Sequence, residues 1–186
     1  MKLVRTPLAG AWIVELSRLE DERGHFARTF DSAMFEARGM DGRVAQMNTS
    51  FNRRSGTLRG MHFQAAPHGE AKLVRVTRGA VFDVIVDLRD GSATRHAWFG
   101  IELTDSNDRA LFVPAGFAHG FQTLEDDTEV LYAMSTPYVA EAARGVRWDD
   151  PAFAISWPSA PPSGRTISER DAAYPDVPNP TVRSDP

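Results

Sequence analysis

The chain predicts an all-β fold, a sandwich or jelly-roll barrel with short peripheral helices, on three observations. Short apolar-rich runs recur between residues 46 and 134 at a spacing of roughly ten residues, the rhythm of sandwiches and barrels. Turn-forming clusters separate them, at Arg53-Arg54-Ser55-Gly56, Arg89-Asp90-Gly91-Ser92, Thr104-Asp105-Ser106-Asn107 and Glu125-Asp126-Asp127. Finally, Val81, Asp83, Ile85 and Asp87 alternate with Phe82, Val84 and Val86, the two-residue period of a strand. Gly79-Ala80 interrupts the longer run that starts at Leu73, where a bend can carry the chain from one sheet to the other.

In chain order, extended segments are expected over residues 8–16 and 26–30, with a charged turn at Asp21-Glu22-Arg23-Gly24 between them. Residues 32–38 read as a short helix with Ser32 as N-cap and Gly39 as its stop. Strands follow over residues 46–51, 57–64, 71–78, 80–88, 96–103, 109–113, 119–124 and 129–134. The last stretch is rich in proline and holds Trp148, Ile155, Trp157 and Tyr174, so it is expected as irregular structure packed over the barrel, with a helix starting near Ser168. Beyond Pro175, over about residues 176–186, the chain is expected to fray. Nothing in the middle reads as a linker or a repeat, so residues 1–186 are expected to form one domain.

Composition narrows the function classes. A hydrophobic content of 42% is enough for a full core. A net charge of −4 and a pI near 5.7 give no basic field for nucleic acid, although single arginines can still gather around a phosphate. With no cysteine in the chain, disulfides and thiolate metal sites are excluded. The N-terminal residues hold no apolar run of signal-peptide length and no segment has transmembrane length, so no membrane partner and a cytoplasmic location are expected.

The chemistry concentrates in Gly56-Thr57-Leu58-Arg59-Gly60-Met61-His62-Phe63-Gln64, followed by Lys72 and answered by Pro114-Ala115-Gly116-Phe117-Ala118-His119-Gly120-Phe121. On a strand, His62 and Gln64 share a face, whereas Arg59 needs a bulge or a rim position to join them. Titratable groups aimed into a sheet-lined cavity are costly unless something satisfies or uses them.

These motifs, together with Asp21 to Phe26, Ala71 to Val76, Asp83 to Arg89, Leu131-Tyr132, Trp148-Asp149-Asp150-Pro151, Ile155-Ser156-Trp157-Pro158 and Ile167-Ser168-Glu169-Arg170-Asp171, resemble the nucleotide-sugar 3,5-epimerases in order and spacing. The resemblance implies a cupin-type jelly roll, a homodimer with exchanged N-terminal strands, no cofactor, and a nucleoside-diphosphate 4-keto-6-deoxyhexose, most simply dTDP-linked, as substrate. It implies His62 as general base, Asp171 as the carboxylate that orients it, Lys72 facing the C4 oxygen, and Tyr132 as general acid. Arg59 and Arg23 fit diphosphate contacts, with Arg23 and Phe26 supplied by the partner subunit and the Phe26 ring stacked on the base. Gln46, Asn48, His119 and Tyr138 complete the implied lining. Two positions depart from the usual pattern, Arg28 where an acidic residue is common and Glu70 where a glutamine is common. Alone, each residue has a plainer reading: a lone lysine is ordinarily a solvated surface group, and Gln46 or Asn48 can serve a strand or turn backbone.

Two other functions fit parts of the pattern. A metal-dependent cupin enzyme would use His62, Glu70 and His119, although Gln64 stands where such proteins carry a second histidine. A non-catalytic sugar-nucleotide-binding cupin would need neither the base nor the acid.

Overall fold

The computed structural model describes residues 1–177. In chain order its elements are β1 (Lys2–Arg5), β2 (Trp12–Glu15), β3 (Arg18–Asp21), β4 (Gly24–Ala27), α1 (Ser32–Glu36), β5 (Gln46–Asn52), β6 (Leu58–Gln64), β7 (Lys72–Arg78), β8 (Ala80–Asp87), β9 (Trp98–Thr104), β10 (Arg109–Val113), β11 (Phe117–Thr123), β12 (Thr128–Met134), β13 (Ala143–Gly145) and α2 (Glu169–Ala172). A six-stranded sheet runs β1-β2-β10-β7-β12-β5, a five-stranded sheet runs β13-β6-β11-β8-β9, and β3-β4 forms a separate hairpin. Every pairing within these sheets is antiparallel. The expected strands from residue 46 onward all form, and β7 passes into β8 through Gly79, where the chain leaves one sheet for the other. Gly79 has φ +76°, and a side chain there would meet the Thr128 hydroxyl at 2.5 Å.

The core lies between the sheets. Val74 and Val76 of β7, Val130 of β12 and Leu111 of β10 meet Val81 and Ile85 of β8 and Phe117 and Phe121 of β11. The opposite residues of each strand form two outer clusters, as the period of two requires. On the six-stranded sheet, Trp12, Val14, Leu73 and Phe112 pack with Phe35 of α1. On the five-stranded sheet, Met61, Val84, Val86 and Ala118 pack under Val146, Phe153, Ile155 and Trp157, so the C-terminal segment covers that face as expected.

Several expectations change at the N-terminal end. The segment 8–16 is extended only from Trp12, because Thr6 donates its hydroxyl to the carbonyls of Leu8 and Ala11 at 3.0 Å and folds residues 6–11 into a turn. That turn lets β1, which the sequence reading passed over, pair with β2. Residues 28–30 are not extended: β4 ends at Ala27, and Arg28 turns to pair with Asp31 at 2.6 Å. Asp31, not Ser32, caps α1 by accepting the Met34 N–H at 3.0 Å, and the helix ends at Glu36. At the other end, the Val177 N–H donates to Asp150 at 2.6 Å and Asp176 pairs with Arg147 at 3.1 Å. The chain is therefore held through Val177, and the rest of the expected loose tail lies outside the described residues. Among the described residues no helix is long and apolar enough to cross a membrane.

Candidate active site

One end of the space between the sheets is lined by polar side chains and opens as a cavity of about 410 Å³. The alternation that builds the core also builds this end. On β7 the residues Lys72, Val74 and Val76 share a face, so the strand that buries two valines sends its first residue into the cavity. Gln46, Asn48 and Ser50 of β5 and Tyr132 and Met134 of β12 join it from the six-stranded sheet. Arg59, His62 and Gln64 of β6 and His119 and Phe121 of β11 come from the five-stranded sheet, and Tyr138 lies at the rim.

Arg59 reaches this face through a bulge. His119 pairs with His62 and Phe121 with Arg59, so a two-residue step on β11 matches a three-residue step on β6. The two strands approach too closely there for side chains: a Cβ on Gly60 would sit 2.6 Å from the Gly120 Cα, and one on Gly120 would sit 2.6 Å from the Arg59 carbonyl oxygen. Arg59 then donates Nε–H to Asn52 Oδ1 at 2.7 Å, and Asn52 is itself anchored to the carbonyls of Ser50 and Thr128. The two terminal nitrogens of the Arg59 guanidinium have no partner among the described residues and remain for a ligand.

His62 Nε2 lies 2.8 Å from Asp171 Oδ1, and the second Asp171 oxygen accepts the Gly60 N–H at 3.1 Å. The carboxylate arrives from the one-turn helix α2, whose N-cap Ser168 accepts the Asp171 N–H at 3.1 Å. Burial pushes the Asp171 carboxyl up, but hydrogen bonding and charge from His62, the Gly60 N–H and Ser168 together outweigh it, so the group sits below the usual carboxylate range. With Nε2–H committed to Asp171, Nδ1 is the nitrogen left with a free lone pair. The His62 side chain remains 41% exposed while Asp171 is 7% exposed. The ring of Tyr174 meets the imidazole edge-on, with centroids 5.8 Å apart.

A second pair stands beside the first. His119 Nε2 lies 2.8 Å from Asp83 Oδ1 of β8, and the other Asp83 oxygen is buried with no hydrogen-bond partner among the described residues. Lys72 Nζ lies 3.1 Å from Glu70 Oε1 and donates to the His62 carbonyl at 3.2 Å, while Glu70 Oε2 accepts the Gln64 N–H at 3.1 Å. Burial raises the Tyr132 phenol above its ordinary range and the nearby Arg59 charge opposes this only in part, so the hydroxyl keeps its proton well past neutral pH. The Gln64 side chain is spent internally, accepting the Val139 N–H at 2.6 Å and donating to the His68 and Pro137 carbonyls. Gln46 accepts the Tyr138 N–H at 2.8 Å, and the Asn48 amide points at the Met134 sulfur at 3.4 Å.

A family model described as dTDP-4-dehydrorhamnose 3,5-epimerase matches residues 5–179. The chain belongs to that family. A dTDP-4-dehydrorhamnose 3,5-epimerase of Methanothermobacter thermautotrophicus is 46% identical over 171 residues, 91% of either chain. Crystal structures of dTDP-4-dehydrorhamnose 3,5-epimerases agree with the fold. One from Elizabethkingia anophelis has a TM-score of 0.90 at 38% identity, covering 95% of this chain and 96% of its own. Another, from Bacillus anthracis with TDP and pyrophosphate bound, has a TM-score of 0.89 at 38% identity, covering 95% and 99%. The all-β, cupin-type architecture and the reading as an isomerase of a nucleotide sugar in dTDP-rhamnose biosynthesis stand on this membership.

Within the epimerase fold, eight of the residues singled out from the sequence line one cavity: Gln46, Asn48, Arg59, His62, Lys72, His119, Tyr132 and Tyr138. Asp171 stands behind His62. Arg23 and Phe26 are not brought to it: the Arg23 side chain is 84% exposed and pairs with Asp21, and Phe26 is 67% exposed beside Leu19 on the β3-β4 hairpin. The three residues of the metal reading each have another partner, Asp171 for His62, Asp83 for His119 and Lys72 for Glu70. Among the described residues no group of three His, Asp or Glu side chains is arranged to hold a metal ion. Sequence reasoning missed Asp83, Tyr174, and Arg144 and Arg170 at the cavity rim. Only Asp83 carried a signal, its place on the inward face of the Val81 to Asp87 alternation.

Proposed function

We propose that the cavity converts dTDP-4-dehydro-6-deoxyglucose to dTDP-4-dehydrorhamnose with His62 as base, Lys72 as holder of the enolate oxygen and Tyr132 as acid. The observation that carries this reading is that His62 and Tyr132 line the same cavity from opposite sheets, the arrangement that inversion at one carbon needs. The C4 ketone acidifies the hydrogens on C3 and C5, and in a gluco-configured chair both hydrogens point to one face. A single base can therefore serve both carbons in turn. His62 Nδ1 takes the proton, the C–H electron pair moves into the ring, and the C4 oxygen gains the negative charge beside the Lys72 ammonium. Tyr132 then gives its hydroxyl proton to the opposite face of the same carbon, and solvent restores tyrosine and histidine. Asp171 holds the imidazole in orientation and stabilises its protonated form.

The arginines and the rim complete substrate binding. The free guanidinium nitrogens of Arg59 suit a diphosphate oxygen pair. Gln46, Asn48, His119 and Tyr138 line the remainder. Arg23 and Phe26 fit the same site when donated by a second copy of the chain, in a homodimer with exchanged N-terminal strands. The exposed Leu19 and Phe26, paired across the hairpin, support that assignment, since a lone hairpin would leave both in water. We extend the reading to one catalytic domain over the whole chain and to the cytoplasm.

Turnover of the dTDP-4-keto sugar in deuterium oxide tests the reaction. Two labels, on C3 and C5, are expected; one label restricts the enzyme to a single centre, and none removes the reading. Mixing Arg23→Ala with His62→Ala subunits tests the shared site: each parent is inactive, and a heterodimer regains one intact cavity, roughly half of wild-type activity per dimer. Activity that stays at background after proven subunit exchange places Arg23 in its own subunit's chemistry.

A further inference from the structure

We infer that Glu70 is a positioning residue for Lys72, which aims the one unspent N–H of the ammonium at the reacting oxygen. The inference deepens the reading of Lys72 given above and rests on it. Lys72 and Glu70 are both nearly buried, with side chains 8% and 3% exposed, so their pairing is shielded from bulk water. An ammonium has three N–H donors and no acceptor. One faces Glu70 Oε1 at 3.1 Å and one the His62 carbonyl at 3.2 Å, which among the described residues leaves a single donor for a ligand. The His62 carbonyl also ties the lysine to the strand that carries the base, so the oxygen holder and the base are set relative to one another.

Glu70 is fixed at both ends. Its Oε2 accepts the Gln64 N–H of β6 at 3.1 Å while Oε1 holds Lys72 of β7, so it bridges the two sheets at the floor of the cavity. Such a place requires two acceptors. A glutamine offers one oxygen and one NH2 group. If its oxygen faces Lys72, the NH2 opposes the Gln64 N–H; if it faces Gln64, the NH2 opposes the ammonium. In this chain only a carboxylate satisfies both partners, which gives Glu70, a departure from the usual residue of the family, a specific task.

The test compares the wild type with Glu70→Gln, Lys72→Met and the double variant, reading kcat, KM and thermal midpoint on the dTDP-4-keto sugar. Lys72→Met should lower kcat by about 10²–10³-fold, the usual loss for one oxyanion donor. Glu70→Gln should lower kcat about tenfold with KM within about twofold, because the donor is misdirected and the substrate's other contacts remain. In the Lys72→Met background the same Glu70→Gln change should cost no further activity, the non-additivity of residues that act as a unit. Wild-type kcat in Glu70→Gln overturns the inference, and so does an equal fold loss in both backgrounds, which marks a merely structural role. Wild-type kcat in Lys72→Met overturns the assignment of Lys72 itself, and shows separately in that single variant. Should Glu70→Gln fail to fold, Glu70→Asp keeps the charge but loses reach to one of its two partners; it should still lose at least about fivefold in kcat, and full activity in it overturns the inference.

Discussion

The molecule holds two histidine–aspartate pairs of equal length, and their difference shows how one chemical unit takes two roles. His62–Asp171 and His119–Asp83 both measure 2.8 Å, and their histidines face each other in register across β6 and β11. Exposure separates them. His62 is 41% exposed and His119 only 9%, while their carboxylates are 7% and 0% exposed. The first pair can present a nitrogen to a sugar ring and change its charge in contact with solvent. The second sits in the wall, where its carboxylate has no contact with solvent and its histidine little. Their carboxylates also differ in origin, since Asp83 comes from the adjacent strand β8 and Asp171 from a one-turn helix that β6 meets only after the chain has wrapped the five-stranded sheet.

The largest effect should come from His62→Ala, which removes the base and should lower kcat by at least about 10²–10⁴-fold in a product assay. If His119→Ala is the more damaging substitution, exposure does not mark the catalytic pair. A sharper contrast lies in the carboxylates. Asp83→Ala strands His119 in the wall and should cost about 1–3 kcal/mol of stability by urea denaturation, with a modest effect on kcat at temperatures where the protein is folded. Asp171→Ala should do the reverse, with a large loss of kcat and the smaller loss of stability, because water can replace it at the exposed His62. The smallest effect is a pH dependence. Asp171 is held below its ordinary range, so its contribution is fully present above the usual carboxylate range and is lost as pH falls through the depressed value. Urea midpoints of wild type and Asp171→Asn should therefore differ at pH 7 and converge as the pH is taken toward 3. A gap that persists in acid would mean that the carboxylate's charge is not what stabilises the pair.

The sheets were legible because burial on one face writes a two-residue period into the sequence, and the strands from residue 46 onward shift by only one or two residues at their ends. That Arg59 needs a bulge or a rim position to join His62 was legible for the same reason, since their odd separation violates the period, and the register between β6 and β11 decides for the bulge. The four-residue β1 was not, because its partner β2 and the Thr6 turn that joins them decide it. Asp31 and Ser32 are both good caps, and only the backbone entering the helix chooses between them. Within the site, pattern alone pointed to His62 and His119, whereas Asp171, more than a hundred residues from His62, entered through family resemblance. The alternation set Asp83 on one face with Val81 and Ile85 but did not pair it with His119, because register between strands is set by turns and bulges that one strand's alternation does not record. The two-acceptor role of Glu70 needed coordinates, since it depends on where Gln64 N–H and Lys72 Nζ meet.

The most direct test of the account is the fate of deuterium with Tyr132→Phe. If His62 works from one sheet and Tyr132 returns the proton from the other, the variant still removes a hydrogen and restores one to the same face. Incubated with dTDP-4-dehydro-6-deoxyglucose in deuterium oxide and read by NMR, it should incorporate label at the reacting carbons while configuration is retained and inversion falls to background. Loss of label and inversion together, or inversion at the wild-type rate, would contradict the opposed base and acid on which the account rests.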